Sequence, residues 1–159
     1  MCEYCGCRDV PAIGELTREH ERVADLIVAV RTAHRDGDME RMARLSHRIG
    51  ELLTPHIEVE ERGLFPPLEA DFPDQMAELR REHRSIETVL EESCAVASLD
   101  PAWAARLLGT LDLLRWHIIK EQDGVFPAAL AELSTQAWES LDAVRVRVGG
   151  ILHHTSHEH

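Results

Sequence analysis

Apolar residues recur at steps of three, four or seven along almost the whole chain, the period of an amphipathic helix and not of a strand. Leu16, Val23, Ile27 and Val30 form one stripe over residues 14–35, and Gly37 is placed to end that helix. Asp38 is a fitting N-cap for a second helix, which runs to about Glu61 with Met42, Leu45, Ile49, Leu52 and Leu53 on its inner face. Pro55 lies inside it and is expected to bend it locally. Gly63 and Pro66-Pro67 break the pattern, leaving a short helical turn around Leu68. Pro73, after Asp71 and Phe72, opens a third helix that carries Met76, Leu79, Ile86 and Leu90 to about Ala97. Asp100 and Pro101 cap and open a fourth, through Trp103, Leu107, Leu111, Leu114 and Ile118, which Gly124 and Pro127 are expected to close.

A shorter amphipathic segment over residues 135–148 is expected to pack on the outside or to mediate association. After it, Gly149-Gly150 releases a polar tail. Four long helices with short connections predict an all-α fold, an up-down-up-down four-helix bundle with an additional short C-terminal helix. The chain divides into a cysteine-rich segment (1–11), the bundle domain (12–148) and a flexible, histidine-rich tail (149–159).

Composition narrows the function classes. At 159 residues the chain is one domain with room for a sizeable core. A formal charge of −12 argues against nucleic acid and anionic membranes, both of which need a basic face. No apolar run is long enough to span a bilayer, so a cytoplasmic protein is expected.

The candidate chemistry lies in an internal duplication. His56 and Glu60 stand four apart in HIEVEERGLFP, and His117 and Glu121 stand four apart in HIIKEQDGVFP. REHERVADLI around His20 pairs with REHRSIETVL around His83; 63 residues separate His20 from His83, and 61 separate His56 from His117. Each histidine continues its helix's apolar stripe: His20 after Leu16, His56 after Ile49 and Leu52, His83 after Met76 and Leu79, His117 after Leu113 and Leu114. All four should face the core from four different helices, with Glu60 and Glu121 one turn further on the same faces. Burying two carboxylates and four imidazoles without partners would cost several kcal/mol per charged group. A pair of transition-metal ions removes that cost. A lone core histidine or a lone His-x-x-x-Glu is ordinarily structural; the aligned set of six points to a metal site. Ferritin-like di-iron sites need Glu-x-x-His, and zinc hydrolases of the His-Glu-x-x-His type need that motif; neither occurs here.

These residues resemble the hemerythrin-like, or HHE cation-binding, domain family over roughly residues 16–124, most specifically in the two His-x-x-x-Glu-x4-Phe-Pro blocks. The resemblance implies an oxo- or hydroxo-bridged pair of iron ions with Glu60 and Glu121 bridging both. His20 and His56 would bind one ion, His83 and His117 the other; manganese and zinc accept the same donors. Oxygen-carrying members have a fifth histidine one helical turn from that of the third helix, where this chain has Leu79 and Glu87. Their second acidic ligand is an aspartate five residues after its histidine, whereas Glu121 is four after His117. Both departures resemble the bacterial type.

The expected function is a non-haem di-iron protein that binds or reacts with dioxygen, hydrogen peroxide or nitric oxide, with a redox partner where turnover occurs. As an enzyme it would decompose peroxide or handle nitric oxide; the alternative is an iron- or oxygen-responsive sensor without turnover. Glu87 offers either an extra oxygen ligand or a solvated or outer role. Glu19 and Glu82, each preceding a candidate ligand, are read as solvated charges, with a contact behind a ligand as the lesser alternative. Cys2, Cys5 and Cys7 suit redox or metal use, or a terminal thiol cluster of no defined role. Cys94 falls on a core stripe, His34 and His47 fall on the surface, and His153, His154, His157 and His159 belong to the polar end.

Overall fold

The computed structural model describes residues 10–94 and 100–156. Cys2, Cys5, Cys7, His157 and His159 lie outside the described residues, as do the side chains of Cys94, His153 and His154. Every regular element among the described residues is helical. The long ones are α1 (Pro11–Arg35), α2 (Met39–Val59), α3 (Pro73–Glu91), α4 (Pro101–Lys120) and α6 (Thr135–Ser156), with a short α5 (Phe126–Glu132) before the last. α1 packs on α2, α2 on α3, α3 on α4 and α4 back on α1, so these four close a ring.

The predicted punctuation between α1 and α2 is present. Gly37 adopts a φ of 71°, which costs a glycine nothing, and the reversal is held by Asp38 N–H donating to the Ala33 carbonyl at 2.9 Å. The Asp38 carboxylate then caps α2, accepting from Arg41 N–H at 3.0 Å, and Asp100 caps α4 through Ala102 N–H at 3.0 Å. α1 begins at Pro11, earlier than the apolar stripe suggested; α3 gives way to a 3-10 turn at Glu92–Cys94, and Ala97, where its end was expected, lies outside the described residues.

Two glycine-proline breaks did not end their helices. After α2 the chain continues as a π turn (Glu60–Leu64), in which Phe65 N–H donates to the Glu60 carbonyl at 2.8 Å, and then as a 3-10 turn (Pro66–Leu68). After α4 it makes the same π turn (Glu121–Val125), with Phe126 N–H on the Glu121 carbonyl, and runs into α5. The cause is the proline that follows each phenylalanine. Pro66 and Pro127 have no N–H to offer the preceding turn, and the widened spacing keeps their rings clear of its carbonyls. Arg80 reaches the Glu61 carbonyl at 3.4 Å, within the turn so opened.

The C-terminal segment expected outside the bundle packs on α1, α2 and the first π turn. It buries Leu141, Val144 and Val148, and it continues helical past Gly149-Gly150 to Ser156. Gly63 is what admits it: a Cβ there would stand 2.8 Å from Leu141 Cδ1 and 3.1 Å from Leu141 Cα.

The apolar core is in two parts. One gathers Ile13, Leu16, Val59, Phe65, Leu79, Phe126 and Leu141; the other gathers Val23, Ile27, Ile49, Ile57, Ile86, Trp103 and Leu114. Along α1 the change falls between Leu16 and Val23, and along α3 between Leu79 and Ile86. Those intervals contain His20 and His83. The four histidines form a polar layer between two dry ones.

Candidate metal centre

The structure brings all six predicted residues together. Their donor atoms fall into two groups, His20, His56, Glu60 and Glu121 in one and Glu60, His83, His117 and Glu121 in the other, each with all its atoms within 4.8 Å. Both carboxylates belong to both groups. The Nε2 atoms lie 3.1 Å (His20) and 3.3 Å (His117) from Glu121 Oε1, and 3.4 Å (His56) and 3.3 Å (His83) from a Glu60 oxygen.

All six side chains are buried. Yet Nε2 of His56, His83 and His117 and all four oxygens of Glu60 and Glu121 make no hydrogen bond. Seven buried polar atoms without partners in one small volume is far outside what a structural polar cluster tolerates. Two ligand atoms each about 2.1 Å from one ion and at right angles to each other lie about 3 Å apart. The 3.1–3.4 Å separations therefore suit nitrogen and oxygen converging on a cation, and imidazole with carboxylate is a donor set for a borderline transition metal.

What stands behind the histidines is as ordered as what stands before them. Nδ1 of His56 donates to Glu19 and Nδ1 of His117 to Glu82, both at 2.9 Å, and Nδ1 of His83 donates to Glu61 at 2.6 Å. Nδ1 of His20 faces the Gln122 amide at 3.2 Å. At His56, His83 and His117 such contacts orient the ring and hold a proton on Nδ1, which leaves Nε2 as the nitrogen facing inward for a cation. Each of these carboxylates is in turn gripped by a cation: Glu19 by Arg145 in two bonds of 3.0 Å, Glu61 by Arg84, and Glu82 by Lys120. Glu19 and Glu82 are thus not the solvated charges the sequence suggested. They are the links between the candidate ligands and the surface.

Electrostatics follow from this arrangement. Burial alone would lower the histidine pKa values, but the facing carboxylates overturn it. His56 is raised to about 10 by Glu60 and Glu19, His83 to about 9 by Glu60 and Glu61, and His117 is raised mainly by Glu121. Against its own burial, Glu19 is lowered to about 2 by His56 and Arg145, and Glu121 is held well below the usual carboxylate range by His117. The centre demands positive charge, and protons on the imidazoles are one way to supply it.

The Phe-Pro motifs complete the walls. Phe126 stacks on His20 with centroids 5.5 Å apart and planes 6° from parallel, and Phe65 stacks on His83 at 5.8 Å and 7°. The π turns bring each phenylalanine beneath a histidine from the other half of the duplication. The remaining space between the six residues is lined by Leu53, Ile57, Ile86, Leu114 and Ile118. Leu79 is buried in the apolar core, and Glu87 pairs with Arg84 at 3.3 Å and belongs to neither donor group.

The sequence reading missed Glu61, Gln122 and Arg145. The duplication carried the signal for two of them. Glu19 and Glu82 each precede a histidine by one, and Glu61 and Gln122 follow Glu60 and Glu121 by one. Arg145 had no such signal, because it reaches the site from α6, which has no counterpart in the first half.

No curated protein and no solved structure matches the chain significantly. The pattern of the hemerythrin HHE cation-binding domain matches residues 12–129, a span that contains all six donors and both phenylalanine turns. With most of its length matched, the chain belongs to the hemerythrin HHE cation-binding domain family.

Proposed function

We propose that the chain is a non-haem di-iron protein that takes a small oxidant, namely dioxygen, hydrogen peroxide or nitric oxide. His20 and His56 would hold one ion, His83 and His117 the other, with Glu60 and Glu121 between them. The single observation carrying this reading is the pair of buried carboxylates common to two histidine pairs. One ion would need only one such group. In this reading α1 to α4 alternate in direction, as the three-residue connection at 36–38 favours, and all four rings enter one layer from the four sides of the ring of helices.

Bound iron would supply one- or two-electron exchange with the oxidant, at coordination positions that two imidazoles and shared carboxylates leave free. The chain's own residues do the rest. Glu19, Glu61 and Glu82 hold the Nδ1 protons and fix the rings, while Glu60 and Glu121 balance the cationic charge. Leu53, Ile57, Ile86, Leu114 and Ile118 line the centre with apolar surface, and the space between the six residues, about 10 Å³ before any ion enters, is far too small for an organic molecule. That favours a two- or three-atom ligand over an organic substrate.

The test is metal content joined to turnover. Protein purified without added metal should carry two irons per chain, and the iron-loaded protein should consume peroxide faster than the His83→Ala variant. Equal rates would discard iron-centred chemistry. A second reading, sensing without turnover, is favoured by one feature: histidines from all four ring helices meet in the polar layer between the two core clusters described above. Iron occupancy would then govern the order of the whole bundle. Thermal midpoints that do not change with iron, in air and without it, would dismiss that reading.

A further inference from the structure

The two halves of the centre are alike in front of the histidines and unlike behind them. Behind His83 and His117 stand two carboxylates, Glu61 and Glu82. Behind His56 stands Glu19, but behind His20, at the repeat position of Glu61, stands the amide of Gln122. We propose that this one exchange makes the two ion positions unequal. The His83/His117 position fills first and holds its ion tightly; the His20/His56 position fills second and is the labile one. The inference rests on the two-ion reading above.

Three observations carry it. A carboxylate accepting from Nδ1 draws the ring proton toward itself and makes Nε2 a better donor, whereas a neutral amide does so more weakly. Both rings of one pair have that support and only one ring of the other does. The amide also faces His20 the wrong way round. Its Nε2 lies 3.2 Å from Nδ1, while its Oε1 faces the Thr17 hydroxyl at 3.5 Å. An amide nitrogen is a donor, so in this arrangement Nδ1 accepts and the ring proton sits on Nε2, 3.1 Å from Glu121 Oε1. His20 can turn a lone pair inward only after the Gln122 amide rotates to offer its oxygen. His56, His83 and His117 need no such step.

The third observation concerns charge. Arg145, which compensates Glu19, is 16% exposed, whereas Arg84 and Lys120, which compensate Glu61 and Glu82, are 58% and 40% exposed. Solvent screens the exposed cations more, so Glu61 and Glu82 keep more of their negative field at their own ion position.

The experiment is an anaerobic titration of the full-length, metal-free protein with cobalt(II), buffered by a competing chelator and followed by calorimetry and visible absorption. Wild type should take two cobalt ions in two steps. Repulsion between neighbouring ions would split even identical positions, so the variants decide. Gln122→Glu should tighten the second step by about 10- to 100-fold and leave the first alone. Glu61→Gln should weaken the first step by a similar factor. Gln122→Leu, which removes the contact without adding charge, should weaken only the second. The proposal is overturned if Gln122→Glu tightens the first step or moves neither, or if Glu61→Gln leaves the first step unchanged. Uptake of one cobalt by wild type would instead remove the two-ion reading beneath it.

Discussion

The same residue in the same motif should answer oppositely to the same substitution. Gly63 and Gly124 both lie third after a buried glutamate and two before Phe-Pro, in matching π turns, and neither has a positive φ. Alanine should therefore gain about 0.5–1 kcal/mol at either position from reduced backbone freedom in the unfolded chain. Around Gly124 nothing lies within 4 Å of the added methyl, so Gly124→Ala should realise that gain. At Gly63 the methyl would meet Leu141 Cδ1 at 2.8 Å and the Leu141 Cα at 3.1 Å. The leucine tip is fully buried, and the Cα can yield only by a shift of α6. Overpacking of this kind costs about 1–3 kcal/mol, which outweighs the backbone gain. The backbone gain is common to both, so the two variants should differ by the overpacking cost, about 1–3 kcal/mol, or about 2–12 °C in thermal midpoint for a chain of this size. Melts of both variants in the metal-free state, by far-ultraviolet circular dichroism, provide the assay. If Gly63→Ala melts at or above Gly124→Ala, the packing of α6 against the first π turn is wrong.

Two further outcomes follow from the centre. In the metal-free protein, His56 and His83 are raised to about 10 and about 9, so the stability they contribute is complete below pH 6.5, the ordinary histidine value. That stability is lost as pH climbs through 9 to 10, because above 6.5 the unfolded histidines are already neutral while the folded ones must still take up protons from an ever more dilute supply. Thermal midpoints in chelator should fall from pH 6.5 to pH 10, and a flat or rising profile would contradict the assigned carboxylate contacts. Phe126→Ala removes a fully buried ring that stacks on His20, and should destabilise the fold by about 3–5 kcal/mol in urea denaturation. A loss below 1 kcal/mol would mean the ring is not packed as described.

The linear pattern by itself placed the long helices and singled out the six residues that the fold brings together. Stripe spacing placed α1 to α4, Asp38 and Asp100 announced their own caps, and the duplication turned ambiguous histidines into an aligned set. These are local or repeated signals, and a helix's inward face can be counted along the chain. Where the pattern misled, a local rule met a tertiary solution. Gly63 and Gly124 read as helix ends, yet the π turns absorb the following prolines, and Gly63 serves to admit Leu141 from α6. Glu19 and Glu82 read as solvated charges, because i-to-i+1 spacing puts a neighbour off its own helix's buried face. Only the packing of adjacent helices reveals that such a flank meets the next helix's histidine. Arg145 closing on Glu19 was likewise decided in three dimensions, since α6 has no counterpart in the repeat and a hydrogen bond between distant segments leaves no period in the sequence.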